Sequence, residues 1–224
     1  MPQVVRASIV APIAVSDATF SHRLRWSWDD AVMPSLVEPV LPSGRLRDSV
    51  QPVIQVDGVV LRPWANEDTP TVVAAYSDPD IERWHVRSMT TIEAQEWIRA
   101  GHLAWQEERA ASWAIEAGGV VAGRMTLKLR LSHGLAEAAY WTLPRSRGRG
   151  LAPEALRMAT HWAFAIGLQR VELEHSTQNI VSCRVAGKAG FAAEGTKRAA
   201  ALHTDGWHDM HLHGRVNNAT AAEL

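Results

Sequence analysis

An eight-residue turn, Arg145-Ser-Arg-Gly-Arg-Gly-Leu-Ala152, constrains this chain more than any other stretch, because it joins a short apolar run to a long amphipathic one. Ahead of it, Glu137-Ala-Ala-Tyr-Trp-Thr-Leu-Pro144 reads as a strand stopped by proline. Behind it, Leu151, Ala155, Met158, Ala159, Trp162, Ala163 and Ile166 recur at helical spacing, so this segment lays one apolar stripe on a sheet. Gly148 and Gly150 let the backbone turn sharply and bring main-chain N–H groups close to a ligand. A helix starting here points its unpaired amides and positive dipole end at the turn, and Arg145, Arg147 and Arg149 add charge. The segment reads as an anion cradle. It lacks the Gly-Lys-Ser/Thr of a nucleotide-triphosphate loop, and Pro153 stands where a dinucleotide fingerprint needs its third glycine. A turn that merely connects strand to helix is the alternative for the octapeptide alone.

The rest of the chain narrows the class. Its 224 residues fit one domain able to bury a core. A net charge of −1 gives no nucleic-acid footprint. The single Cys183 excludes an intrachain disulfide and a cysteine metal cluster. Ala7 to Val15 is apolar, but Pro12 interrupts it and Ser-Asp-Ala is a poor cleavage site, so no signal peptide is expected. No stretch approaches membrane-spanning length, and the expected compartment is the cytoplasm.

Residues 1–52 hold six of the eleven prolines and little periodicity, although 22–28 and 36–41 are too apolar for a solvated tail. They are expected to form an extension packed on the domain or on a second copy in a homodimer, with a lid or recognition arm as the alternative. The domain proper is expected over 53–217, followed by a short tail, 218–224. Val53 to Pro63 reads as a hairpin broken at Asp57-Gly58, and Asn66 to Thr69 as a capped helix start before Val72 and Tyr76. A turn at Ser77–Asp80 leads to a short helix with Ile81 and Trp84, and Thr90-Thr-Ile-Glu93 opens a helix to about Ala110. Strands follow over 112–117, 120–131 and 136–143, then a helix over 151–167 and a strand over 170–176. A helix over 180–189 ended by Gly190 and a strand pair over 191–202 and 206–216 complete the domain.

Four motifs in order carry a resemblance over about Gly58 to Val216. They are Val60-Leu-Arg-Pro63; Arg145-x-x-Gly148-x-Gly150-Leu-Ala with an acidic residue and Ala-Leu; Asn179-x-x-Ser182 with Lys188-Ala-Gly-Phe191 and Glu194-Gly195; and Asp205-Gly-Trp-x-Asp-Met210. Together they resemble the GNAT N-acetyltransferases, in particular the RimJ/RimL group that acetylates ribosomal-protein N-termini. The resemblance implies an α+β fold, a mixed and mostly antiparallel sheet flanked by helices, whose middle strands splay apart. It implies acetyl-CoA as cosubstrate, with its acetyl-pantetheine end on the main chain of Trp141, Thr142 and Leu143 and its pyrophosphate on Arg147, Gly148, Arg149, Gly150, Leu151 and Ala152. Asn179, Ser182 and Lys188 complete the cofactor set. Helices between 66 and 110 form one wall of the acceptor cleft.

By the same resemblance Ser182 is the general acid that protonates the leaving thiolate. Without the motif, Asn179 is a helix cap and Ser182 a first-turn residue. Many members use a tyrosine for this acid, and neither Tyr76 nor Tyr140 follows Asn179. Two bases are open: Glu137, sharing a strand face with Ala139 and Trp141, and His175, ending the strand before Asn179. If neither acts, the amine arrives neutral. Cys183 has no base at hydrogen-bonding spacing for a covalent route, and His211 and His213 share a strand face without a recognisable third ligand, so no metal is expected. The acceptor implied is the N-terminal α-amine of a protein or peptide, attacked within a ternary complex. The alternatives are a small-molecule amine and a protein that binds acyl-CoA without turnover. Pro153 removes one amide donor from the cradle helix.

Overall fold

The computed structural model describes residues 36–218, so the expectations for 1–35 and 219–224 lie outside the described residues. Residues 1–37 and 38–224 form separate units, and the second is described here. Eight strands make one sheet in the order β1-β2-β3-β4-β5-β6-β8-β7. β1 (Ile54–Val56) and β2 (Val59–Pro63) form a tight hairpin. Asp57 and Gly58 between them have φ of 45° and 79°, the geometry that suits the twist of paired strands. β3 (Ala110–Ala117) and β4 (Val120–Arg130) turn at Gly118-Gly119, and β5 (Leu135–Thr142) returns antiparallel to β4.

β6 (Arg170–Ser176) lies parallel to β5, and the hairpin of β7 (Ala192–His203) and β8 (Gly206–Val216) closes the sheet through β8. The helices are α1 (Thr69–Tyr76), α2 (Pro79–His85), α3 (Thr91–Gln106), α4 (Leu151–Ala165) and α5 (Ile180–Lys188). Among the described residues, no helix is long and apolar enough to cross a membrane.

The middle strands part as expected. β5 and β6 pair only from Leu135↔Arg170 to Ala138↔Leu173, whereas β5 stays on β4 to Thr142 and β6 stays on β8 to Ser176. Each strand keeps its outer ladder, and the gap opens between their inner edges.

Strand alternation sorts the core onto two faces. Ala136 and Ala138 of β5 and Val171 and Leu173 of β6 join the apolar stripe of α4, where Leu151, Ala155, Met158, Ala159 and Ala163 are buried and Trp162 packs at the margin. The opposite face carries Trp141 with Trp64, Tyr76 and Ile98 beneath α1 to α3. Gly123 of β4 sits where the sheet is tightest, since a Cβ there would come 2.4 Å from the Trp141 carbonyl oxygen. Gly123→Ala is therefore expected to cost about 1–3 kcal/mol, read as a fall in Tm of several degrees.

One sequence expectation meets a correction. The capping box at Thr90 and Glu93 forms, but the helix it opens stops at Gln106, and Ala110 is already strand. Glu108 takes a left-handed φ of 58°, and its carboxylate accepts from the amides of Gly44 and Leu46. The chain after Glu38 is sewn to the domain. Val40 and Leu41 donate to Ser132 and Leu131, the Trp105 and Trp113 indoles donate to the carbonyls of Ser49 and Pro52, and Leu41 and Leu46 are buried in the main core.

Candidate active site

The cradle follows from local sequence. Pro144 ends β5, Gly148 and Gly150 take φ of 76° and 75°, and a Cβ at either would meet only open space. Gly150 caps α4 without any side-chain hydrogen bond. The first-turn amides of Leu151 and Ala152 thus have no intrahelical acceptor, while Pro153 has no N–H to offer. An anionic, narrow group fits this loop: the backbone can be approached closely and the helix dipole favours negative charge.

Two expected contacts are used differently. Leu143 donates its amide to Ala122, and the Trp141 carbonyl abuts Gly123, so both main chains turn to β4. The carbonyls that reach partners beyond β4 belong to Tyr140 and Thr142. Arg147 donates through Nε to the Thr142 carbonyl at 3.2 Å and pairs with Asp78 at 3.0 Å and Asp80 at 2.6 Å. Its guanidinium therefore fastens the loop to the first turn of α2.

That seven-residue helix lies across the mouth of the gap. Its first turn holds Arg147; its other end reaches the β6 side, where Arg83 donates to Gln178 at 3.1 Å and the Arg83 carbonyl contacts His203. Asp78 caps it by accepting from the Ile81 amide, and Val86 ends it at φ 53°. From its last turn, His85 Nε2 meets the Tyr140 carbonyl at 3.2 Å. A carbonyl only accepts, so Nε2 carries the proton and Nδ1 is the basic nitrogen. Burial, with Arg124 and Arg87 nearby, pushes the His85 pKa down to about 4 against the pull of that carbonyl. Arg124 itself is buried and donates to the Tyr76 hydroxyl at 2.8 Å.

On the α4 face, the Tyr140 hydroxyl donates to Ser182 Oγ at 2.9 Å. Burial raises the Tyr140 pKa to about 12, so the resting phenol is protonated and able to donate. Ser182 lies in the first turn of α5, where its amide donates to Asn179 Oδ1 at 3.0 Å. Asn179 is thus a helix cap, and the cap leaves the Ser182 hydroxyl free of that duty. Lys188 ends the same helix, about 13 Å from the cap along the axis, with its carbonyl taken by Arg157.

The two candidate bases sit apart from each other. Glu137 lies in the closed part of the β5–β6 pair, opposite Glu172, on the face away from Tyr140. Its carboxylate is 38% exposed and pairs with Lys128 at 2.8 Å. His175 is buried on the α4 and α5 face, with Nδ1 on the Ser176 carbonyl and its ring stacked on His213. His208 lies on the opposite face in a hydrogen-bonded run from Ser176 through its ring to Asp205, with Ser176 only 2% exposed and unavailable to substrate.

Sequence reasoning missed His85 and the part played by Tyr140. For Tyr140 a signal existed, because alternation puts it on the same face as Ala136 and Ala138, toward the helices that follow. His85 left none beyond its place at the end of a short helix.

The comparisons with known proteins bear on this geometry. The chain is 29% identical over 153 residues, 66% of its length and 86% of the relative's, to the uncharacterized N-acetyltransferase YoaA of Bacillus subtilis (strain 168). It resembles the solved RimL ribosomal alpha-N-protein acetyltransferase in complex with coenzyme A, at 19% identity and TM-score 0.70, covering 75% of this chain and 99% of that one. It is similar also to the microcin self-immunity acetyltransferase MccE in complex with acetyl-CoA and AMP, at 17% identity and TM-score 0.67, over 72% and 94%. The family model described as "Acetyltransferase (GNAT) domain" matches residues 59–192, from the start of β2 to the start of β7. The splayed sheet with its glycine-led helix thus has its explanation: the chain belongs to the GNAT acetyltransferases and is an acetyl-CoA-dependent enzyme.

Proposed function

We propose that the enzyme acetylates the N-terminal α-amine of a protein or peptide by direct attack within a ternary complex. The observation that carries this reading is the electrostatics around His85. A site where burial and two arginines hold an imidazole neutral to about pH 4 also disfavours an ammonium. An α-amine, with a pKa near 8, gives up its proton at less cost than a lysine near 10.4, a difference of about 3 kcal/mol. The site therefore favours the acceptor that costs less to neutralise.

In this proposal the first-turn amides of Leu151 and Ala152, with Gly148, Arg149 and Gly150, hold the pyrophosphate of acetyl-CoA, and Arg147 steadies the loop. The thioester supplies the activated acetyl group. Tyr140 and Thr142, whose carbonyls face the gap, orient the pantetheine arm, and Asn179 Nδ2 assists. His85 Nδ1 accepts an N–H of the neutral amine and aligns its lone pair; with so low a basicity it does not strip an ammonium, and the proton shed after attack leaves to solvent. Ser182 gives its proton to the departing thiolate and takes the proton of Tyr140 in return, and the phenolate recovers a proton from solvent, which has received the one shed by the amine. Glu137, committed to Lys128, is a bystander in this scheme.

The test is mass spectrometry of enzyme, acetyl-CoA and two pools: peptides with free N-termini and internal lysines, and small primary amines. The expected product is acetylated at the α-amine with lysines untouched. Turnover confined to small amines, a reading favoured by the likeness to MccE, overturns the proposal; CoA release with no acceptor in either pool does so as well.

A further inference from the structure

Beneath α5, on the face of the sheet that also carries Tyr140, four side chains converge that the sequence keeps apart. His175 of β6, His211 and His213 of β8, and Cys183 of α5 bring their ring nitrogens and sulfur within 4.8 Å of one another. The register explains the meeting. His175 stands opposite His211 and Leu173 opposite His213, and facing residues of an antiparallel pair share a side. Cys183 follows the Asn179 cap by one helical turn.

Packing alone does not account for these groups. His175 and His213 are 6% and 3% exposed, yet His175 Nε2 and both ring nitrogens of His213 have no hydrogen-bond partner among the described residues. Buried polar atoms are otherwise almost always partnered, and an orphan calls for an ion or an unseen ligand.

We propose that His175, His211, His213 and Cys183 bind one zinc-class divalent ion that closes α5 onto β6 and β8. Three imidazoles and a thiolate are the donor set of a tetrahedral zinc or cobalt site. Bonds of about 2.0–2.3 Å put ligand atoms about 3.3–3.8 Å apart, so the four side chains need to draw together by roughly 1 Å. His175 already has the supporting arrangement of a ligating histidine. Its Nδ1 meets the Ser176 carbonyl at 2.8 Å, which fixes the proton there and leaves Nε2 as the donor atom. Cys183 and His211 are half-buried and give the ion a way in. With all four positions filled by protein, the site is structural, and it holds the helix that carries Ser182.

The test uses the untagged full chain, stripped with a chelator and titrated with Co²⁺ and then Zn²⁺. One equivalent of Co²⁺ is expected, with the visible bands of a tetrahedral site and a near-ultraviolet thiolate-to-cobalt band, both lost when Zn²⁺ displaces it. Cys183→Ser removes the thiolate band. His213→Ala weakens Zn²⁺ binding by more than the roughly 10–100-fold that losing a supporting hydrogen bond costs. Should either variant fail to fold, the unmutated chain still decides, because Zn²⁺ must protect Cys183 from alkylation by iodoacetamide. Cobalt bound without the thiolate band, as at scattered surface histidines, overturns the proposal. So does a Cys183 that is alkylated equally fast with and without Zn²⁺.

Discussion

Ser182→Ala lowers kcat by about 10²–10³-fold while leaving the affinity for acetyl-CoA within a few-fold of wild type, as loss of a proton donor used only in the transition state requires. That corresponds to roughly 3–4 kcal/mol of barrier. The helix should survive the change, because the Asn179 cap engages the Ser182 amide and not its hydroxyl. Tyr140→Phe removes the phenol that donates to Ser182 at 2.9 Å, and a smaller loss, about tenfold, is expected in kcat with KM for acetyl-CoA unchanged. The decisive measurement is the double variant. If the two hydroxyls form one relay, Ser182→Ala with Tyr140→Phe is no slower than Ser182→Ala alone. Independent, multiplying losses would show that Tyr140 acts elsewhere, and a Ser182→Ala enzyme near full speed would remove the serine from the chemistry.

The second large effect is on stability in acid. His85 titrates near pH 4 in the folded protein because burial and the neighbouring Arg124 and Arg87 resist its charging, whereas the unfolded chain titrates near 6.5. Between those values the unfolded state binds the extra proton, so stability is full above about pH 6.5 and falls as the pH drops toward 4. The loss amounts to at most about 3 kcal/mol, less whatever water at the cleft mouth screens. His175 and His213 are shifted down by burial too and push the same way, so the informative quantity is the difference between wild type and His85→Gln. Glutamine keeps an N–H for the Tyr140 carbonyl and does not titrate. Denaturant midpoints at pH 4.5 and pH 7 should differ less in the variant, and an unchanged difference would mean that His85 is not held neutral.

Much of the fold was legible because its signals are local. The turn at Asp57-Gly58, the capping box at Thr90 and Glu93, the glycines around Arg149 and the proline after β5 each act within a few residues, and each element appears where they put it. The helix before β3 was read as too long because its end is set by Glu108 bonding to Gly44 and Leu46, more than sixty residues upstream. The site was legible in its backbone and less so in its side chains. Residues 42 apart join in the Tyr140–Ser182 bond, and 55 apart in His85–Tyr140. Strand parity gave the face of Tyr140, but only the packing of α5 over β6 delivers Ser182 to it. Likewise, the shared face of His211 and His213 was visible, whereas the pairing of His175 with His211 depends on a register no local pattern encodes.

The parted strands also bear on selectivity. Where β5 leaves β6, its bare edge would be a template for any extended chain, and exposed edges invite unwanted pairing. Here His85 and Arg147 plug two of its carbonyls. In the proposed function an entering arm trades the Arg147 bond to the Thr142 carbonyl for its own, an exchange close to neutral in free energy, and shares the Tyr140 carbonyl, whose second lone pair stays open beside His85. On that reading the charged end at the glycine turn decides occupancy, and the edge turns away molecules unable to make these exchanges.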